Sequence, residues 1–324
     1  MPRNDVDRYS SLSRAGDEDQ VDLLDLFLIL WGGKWFISGF GAVAGVLSVF
    51  FALSLPNIYR AEVLLAPTSG GDSGGLSAVA SQYAGIASLA GINISNVGAG
   101  VDPTALGIEV LQSRKFIVDF IERHDILVPL MGAKDWDLSD NTLIYDQDVY
   151  DLNTNEWVRR ASRPRESKPS LLEAYQEFSE IMVVSQSADT SLVKISIDHY
   201  SPYIAKHWVD KLVEDINLVI KNQDVSEARN SIEYLNEQLE STALSEMRSI
   251  FYQLVEEQTK TIMLANARPE YLFRTVDPAV VTEEKVKPRR FLICLAGTGI
   301  GVFFGLVFVL GRLFFLGYSR LEEC

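Results

Sequence analysis

Two aspartate pairs have the spacing of a metal-dependent sugar-transfer motif: Asp135 with Asp137, and Asp146 with Asp148. They lie in a stretch, 134–157, that mixes acids with aromatics such as Trp136, Tyr145, Tyr150 and Trp157. Carboxylates beside ring faces can hold sugars, through hydrogen bonds to hydroxyls and stacking on the rings. However, an aspartate pair at this spacing is common by chance, and no nucleotide-binding strand–helix–strand pattern accompanies it. The stretch reads as a solvated loop or insertion. His199 and His207 straddle a helix start without nearby ligand partners, and read as surface or packing residues. The glycine-rich stretch 68–100 lacks the GxxxxGK[ST] pattern of a phosphate-binding loop. No Ser/His/Asp arrangement and no metal spacing emerges. The residues therefore read as a non-enzymatic chain without cofactor or metal, and a formal charge of -15 speaks against nucleic acid as a partner.

The elements around these residues are dominated by two apolar runs. Residues 35–55 carry no charge over about 21 positions, enough to cross a bilayer as a helix. Trp31 and Trp35 suit an interfacial belt, and Lys34 a cytoplasmic anchor. The polar arm 1–20 and the length of the apolar run argue for a retained anchor over a cleaved signal. Between them, 21–31 suits a helix lying in the interface. Residues 291–310 form a second uncharged run of about 20. About 235 residues remain between the two, room for one sizeable domain or two small ones. The two cysteines, Cys294 and Cys324, give no disulfide framework.

Within that domain, Tyr59, Ala61, Val63 and Leu65 alternate as one face of a strand over 59–66. Asp102-Pro103 predicts a helix start, with the helix running to about 124 and turning Ile108, Leu111, Phe116, Ile117, Phe120 and Ile121 inward. A short helix over 170–180 precedes two strands, 181–185 and 191–198. Ser201-Pro202 then opens another helix. From Pro202 to about residue 267 there is no proline or glycine. One helix over that run would extend on the order of 100 Å; a break at 222–226 is the alternative, with Asp224 or Ser226 as cap. Ile232, Leu235, Leu239, Ala243, Met247, Ile250 and Leu254 recur at steps of three and four. This stripe must bury against the domain or a neighbouring copy, which makes Leu239, Met247, Ile250 and Leu254 oligomerisation candidates. Residues 270–277 return the chain as a strand beside 59–66, carrying Phe273 and Thr275. Gly297, Gly301 and Gly305 then line one face of the second span, small enough for another helix to approach closely. That helix is either a membrane partner or another span of this protein.

The fold class is thus a membrane protein: two transmembrane helices flanking an α+β domain with a very long extended helix. The ordered set VDLLDLFLILWGGKW, IYRAEVLLAP, ALGIEVLQSRKFIVDFIE, ARNSIEYLNEQL, EEQTKTIMLANARPEYLFRTVDPAVV and KPRR resembles the chain-length determinant (Wzz) family, the class 1 polysaccharide co-polymerases. The resemblance covers nearly the whole chain. It implies a cytoplasmic arm (1–34), a periplasmic domain (56–290) with an α/β base and a long helical rod, a cytoplasmic tail (314–324), and both termini in the cytoplasm of a bacterial inner-membrane protein. It further implies ring-like homo-oligomers that regulate the chain length of lipopolysaccharide O-antigen or a related surface glycan. Its implied partners are a membrane O-antigen polymerase and the growing lipid-linked glycan. The segment before the second span carries Pro278 and Pro288, fewer prolines than the family usually holds there; these two join the glycines as coupling or packing candidates. DQDVYDLNTNEWVRR suggests a subgroup with an insertion. Three other readings compete: a class 2 co-polymerase for capsule or exopolysaccharide export with a separate tyrosine kinase, a membrane-anchored glycan-processing enzyme using 135–156, and a sensor receptor. The last needs an output domain that 311–324 is too short to be.

Overall fold

The computed structural model describes residues 34–68, 102–162, 165–241 and 245–319. Two units emerge: a set of apolar helical residues at the chain's flanks, and a domain from Pro56 to Lys287. The interfacial segment expected over 21–31, most of the glycine-rich stretch and the end of the tail lie outside the described residues.

Helix α1 (Lys34–Ser54) is the first apolar run. In the domain, β1 (Ile58–Pro67) buries Ala61, Val63 and Leu65, the face that the alternation predicts. Helices α2 (Pro103–Gln112) and α3 (Arg114–Arg123) replace the single helix expected over 102–124. Asp102 does cap the first, accepting from the Thr104 N–H at 3.0 Å with Pro103 behind it. The break falls at Ser113, whose backbone is extended and whose hydroxyl accepts from the Phe116 N–H at 3.3 Å, capping α3. Leu111, Phe116, Ile117, Phe120 and Ile121 all remain in the core.

After the short α4 (Leu127–Met131), the acidic stretch, expected as a solvated loop or insertion, forms two hairpins: β2 (Ala133–Asp137) with β3 (Thr142–Tyr145), and β4 (Tyr150–Asp151) with β5 (Glu156–Trp157). Asn141 and Asn155 take φ values of 50° and 55° at the two reversals, a conformation asparagine tolerates better than most residues. Helix α5 (Leu171–Ile181), capped by Ser170, leads into β6 (Met182–Gln186) and β7 (Val193–His199).

The long run divides. Helix α6 (Pro202–Ser241) has 40 residues and α7 (Ser245–Ala267) has 23. Helix α6 is continuous through 222–226, so no break falls there: Asp224 accepts the Tyr271 hydroxyl at 2.7 Å and caps nothing. Residues just beyond α7 bond to Asn217 and Asp224 of α6, and the two helices pack on each other, so α7 runs back along the distal half of α6. The expected rod of about 100 Å becomes a hairpin whose longer arm measures roughly 60 Å. The physical reason is the apolar stripe, which a solitary helix would leave in water.

The chain then forms β8 (Phe273–Asp277), β9 (Lys285–Lys287) and α8 (Arg290–Ser319). The main sheet has the order β6-β7-β1-β8, antiparallel throughout, with β9 pairing the start of β1. The return strand beside β1 is the one the sequence predicts. Helix α6 lays Ala205, Trp208, Val209, Leu212, Ile216 and Ile220 on the sheet, meeting Val193, Ile195, Ile197 and Phe273. Each large apolar side chain so buried contributes about 1.5–3 kcal/mol.

Candidate coupling and assembly sites

Helices α1 and α8 are each long and apolar enough to cross a bilayer. They pack antiparallel, and the glycines of α8 set how closely. A Cβ added to Gly297 would lie 2.4 Å from Ser48 Cβ, one on Gly301 would lie 2.4 Å from Ala44 Cβ, and one on Gly305 would lie 2.9 Å from Ile37 Cα. The glycine face is therefore filled by the chain's own first helix. Helix α1 answers with small residues of its own: Gly41 meets Val302 and Gly45 meets Thr298. Reading the sequence for glycines in the second run alone misses Gly41, Ala44, Gly45 and Ser48, although Gly41 and Gly45 carry the same four-residue spacing. Phe308 closes one end against Phe36 and Phe40. The hydroxyls of Ser48 and Thr298 donate to Gly45 O and Cys294 O, so neither is left unpaired in an apolar setting. The outward faces expose Trp35, Phe50, Phe51, Phe291 and Phe303, as a lipid-facing surface does.

In the domain, the return leg is held by Asn217 of α6. This side chain is only 5 % exposed. Its Oδ1 accepts from the Leu272 and Phe273 N–H groups at 2.7 and 2.9 Å, and its Nδ2 donates to Phe273 O and Val213 O, both at 3.0 Å. Both lone pairs and both hydrogens of the amide are thus accounted for, which is what a buried polar group requires. Tyr271 donates to Asp224 nearby; burial, then the adjacent carboxylate, pushes its phenol well above the ordinary value. The sequence signal for Asn217 is an amide beside Ile216 inside an apolar helix stripe.

A second junction centres on Asp198 of β7. Arg60 of β1 donates to it twice, from Nε at 2.6 Å and Nη2 at 2.9 Å, and Lys287 of β9 donates at 2.9 Å. Burial alone would raise this carboxyl, but the hydrogen bonds and charges of Arg60 and Lys287 outweigh it and hold it below the usual carboxylate value. Pro278 lies exposed just past β8, and Pro288 half-buried between β9 and α8.

The oligomerisation candidates separate. Leu239 is buried in the hairpin, Ile250 and Leu254 are half-buried, and Met247 is 42 % exposed. Part of the stripe therefore packs within one chain, where the sequence left a neighbouring copy equally eligible.

Aspartates of the acidic stretch hold its backbone, Asp137, Asp146 and Asp151 at turns. Asp135 accepts from the Trp136 N–H, Asp137 from the Ser139 N–H, Asp146 from the Asp148 N–H and Asp151 from the Asn153 N–H. Asp146 also pairs with Lys134 at 3.4 Å. Among the described residues no three His, Cys, Asp or Glu side chains are grouped to hold a metal. His207 is exposed. His199 is buried: Ser201 N–H donates to its Nδ1 at 3.1 Å, and its Nε2 faces Pro129 O at 3.2 Å. A donor on one side and an acceptor on the other fix the neutral ring with its proton on Nε2. Burial drives its pKa down to about 4.

The chain thus combines a sheet-and-hairpin domain with two helices long and apolar enough to cross a membrane. Residues 19–124 match the family model described as chain length determinant protein, Wzz, and residues 244–314 match that described as G-rich domain on putative tyrosine kinase, GNVR. Residues 125–243 lie between the two matched stretches. Among solved structures, a full-length bacterial polysaccharide co-polymerase is similar at 12% identity and a TM-score of 0.38, covering 92% of this chain and 99% of its own. A fragment of WzzB, a polysaccharide co-polymerase from Salmonella Typhimurium, is similar at 13% identity and a TM-score of 0.27, covering 71% of this chain and 100% of its own. No curated protein matches the sequence.

Proposed function

We propose that this chain regulates the length of a surface polysaccharide, setting the modal length of lipopolysaccharide O-antigen or a related glycan beside a separate membrane polymerase. The observation that carries the reading is the match of residues 19–124 to the chain length determinant model. The packed α1–α8 pair supports a bilayer anchor at both flanks of the domain. On this reading both termini are cytoplasmic and the domain is periplasmic, in the inner membrane. Copies of the chain assemble into a ring, and the growing lipid-linked glycan is what they act on. The chain acts without catalysis: one carboxylate of each aspartate pair, Asp137 and Asp146, is committed to a local turn, which weakens the glycan-processing alternative.

One observation favours a second reading, export of a capsule or exopolysaccharide alongside a separate tyrosine kinase: the GNVR match over 244–314. Deleting the gene separates the two. Length control predicts that the glycan is still made, with its preferred length lost on electrophoresis. The export reading predicts that surface polymer disappears. An unchanged glycan in amount and length removes both.

A further inference from the structure

The domain is joined to the apolar helices through two strands. Strand β1 begins at Ile58, shortly after α1 ends at Ser54, and β9 ends at Lys287, shortly before α8 begins at Arg290. These strands are neighbours, yet their ladder is minimal: Ile58 pairs with Lys287 and Tyr59 with Lys285, with a register shift between the two. So short and irregular a ladder is weak by itself. What reinforces it is one carboxylate. Asp198 on β7 takes two hydrogen bonds from Arg60 on β1 and one from Lys287 on β9. The three side chains share the sheet face opposite the core, because Arg60 and Asp198 are cross-strand partners and Lys287 is the partner of Ile58, two residues before Arg60. Only 7 % of the Asp198 side chain is exposed, against 54 % for Lys287. The buried member is thus fixed by the sheet and the exposed member is the one it captures. Thr282, donating to Arg60 O at 2.9 Å, holds the approach to β9.

We propose that Asp198 is a positioning residue that locks the strand feeding α8 to the strand following α1, so that the folded sheet sets the spacing at which the chain leaves the domain. This rests on the length-control reading, because its functional consequence is read as glycan length.

The test uses the full chain, with hydrogen exchange measured in detergent and glycan profiled in a deletion strain. Asp198→Asn also deprives Arg60 of its partner and endangers the fold. Lys287→Met leaves the Arg60–Asp198 pair intact and carries the test, with Lys287→Arg as the conservative rescue. In Lys287→Met, amides of β9 are expected to exchange roughly tenfold faster, with β7 and α6 unchanged and the protein at normal level. The modal glycan length should broaden with Lys287→Met and be retained with Lys287→Arg. Unchanged exchange in β9 overturns the lock, and faster exchange with an unchanged glycan profile overturns its role. A wild-type gene that fails to restore a modal length sinks the length-control reading instead, while the exchange measurement still judges the lock.

Discussion

Replacing Asn217 with leucine should weaken the domain sharply, although the two side chains are similar in size. The Leu272 and Phe273 N–H groups would lose their common acceptor, and Phe273 O one of its donors. Asn217 is buried and Phe273 fully so, so water is not at hand to replace the bonds. An unsatisfied buried group costs about 1–3 kcal/mol. Two orphaned donors, partly offset by the apolar gain of leucine, give a net loss of roughly 2–5 kcal/mol. For a domain of this size each kcal/mol lowers Tm by about 2–4 °C, so the loss should be roughly 4–20 °C. The assay is thermal unfolding of the full chain in detergent, followed by fluorescence of the buried Trp208, since far-ultraviolet signal from the apolar helices would obscure the domain. Hydrogen exchange should localise the first damage to β8. A shift under about 2 °C, with β8 amides still protected, would refute the view that this amide holds the return leg.

The glycine face predicts a contrast within one helix. Gly301→Leu should overpack the α1–α8 pair by about 1–3 kcal/mol and lower the amount of intact protein in membranes by immunoblot. Gly299→Leu, where an added Cβ meets nothing within 4 Å, should leave it unchanged. Acid should destabilise the domain through His199. Its folded pKa of about 4 lies below the ordinary 6.5, so the unfolded chain takes up the proton first; the contribution is complete above pH 6.5 and is lost as pH falls toward 4, by about 3 kcal/mol in all. His199→Gln should flatten that part of the stability–pH profile. In the hairpin, Ile250→Asp with Leu254→Asp should open the α6–α7 packing and expose α7 to limited proteolysis. Met247→Asp, at a more exposed position, should spare the hairpin and reduce the mass measured by light scattering if that surface joins copies.

The legible parts of the fold were those with local, unambiguous patterns. Alternation marked the buried face of β1, Asp102-Pro103 and Ser201-Pro202 marked helix starts, and Phe273 and Thr275 marked the returning strand. The fold-back of α7 was not legible, because a stripe such as Leu239, Ile250 and Leu254 is equally satisfied by a neighbour or by the same chain, and neither glycine nor proline marks the division. The hairpins were missed although their reversals nearly repeat: Asp137-Leu138-Ser139-Asp140-Asn141 and Asp151-Leu152-Asn153-Thr154-Asn155. Each has an aspartate holding the backbone two residues on and an asparagine at positive φ. Asp198 lies in alternation with the apolar Ile195 and Ile197, and nothing local in the sequence marks its pairing with Arg60 and Lys287, which only the sheet brings beside it. The glycines of α8 announced a packed helix, whereas its partner became visible only with Ser48 and Ala44 in place.

The most direct measurement is electrophoresis of surface polysaccharide from a host whose own length determinant has been deleted, carrying either an empty vector or this chain. Polymerase and sugar are then common to both, and only the regulator differs. The account predicts that a preferred length appears only with this chain. Indistinguishable ladders, with the protein present in the membrane at normal level, would contradict it.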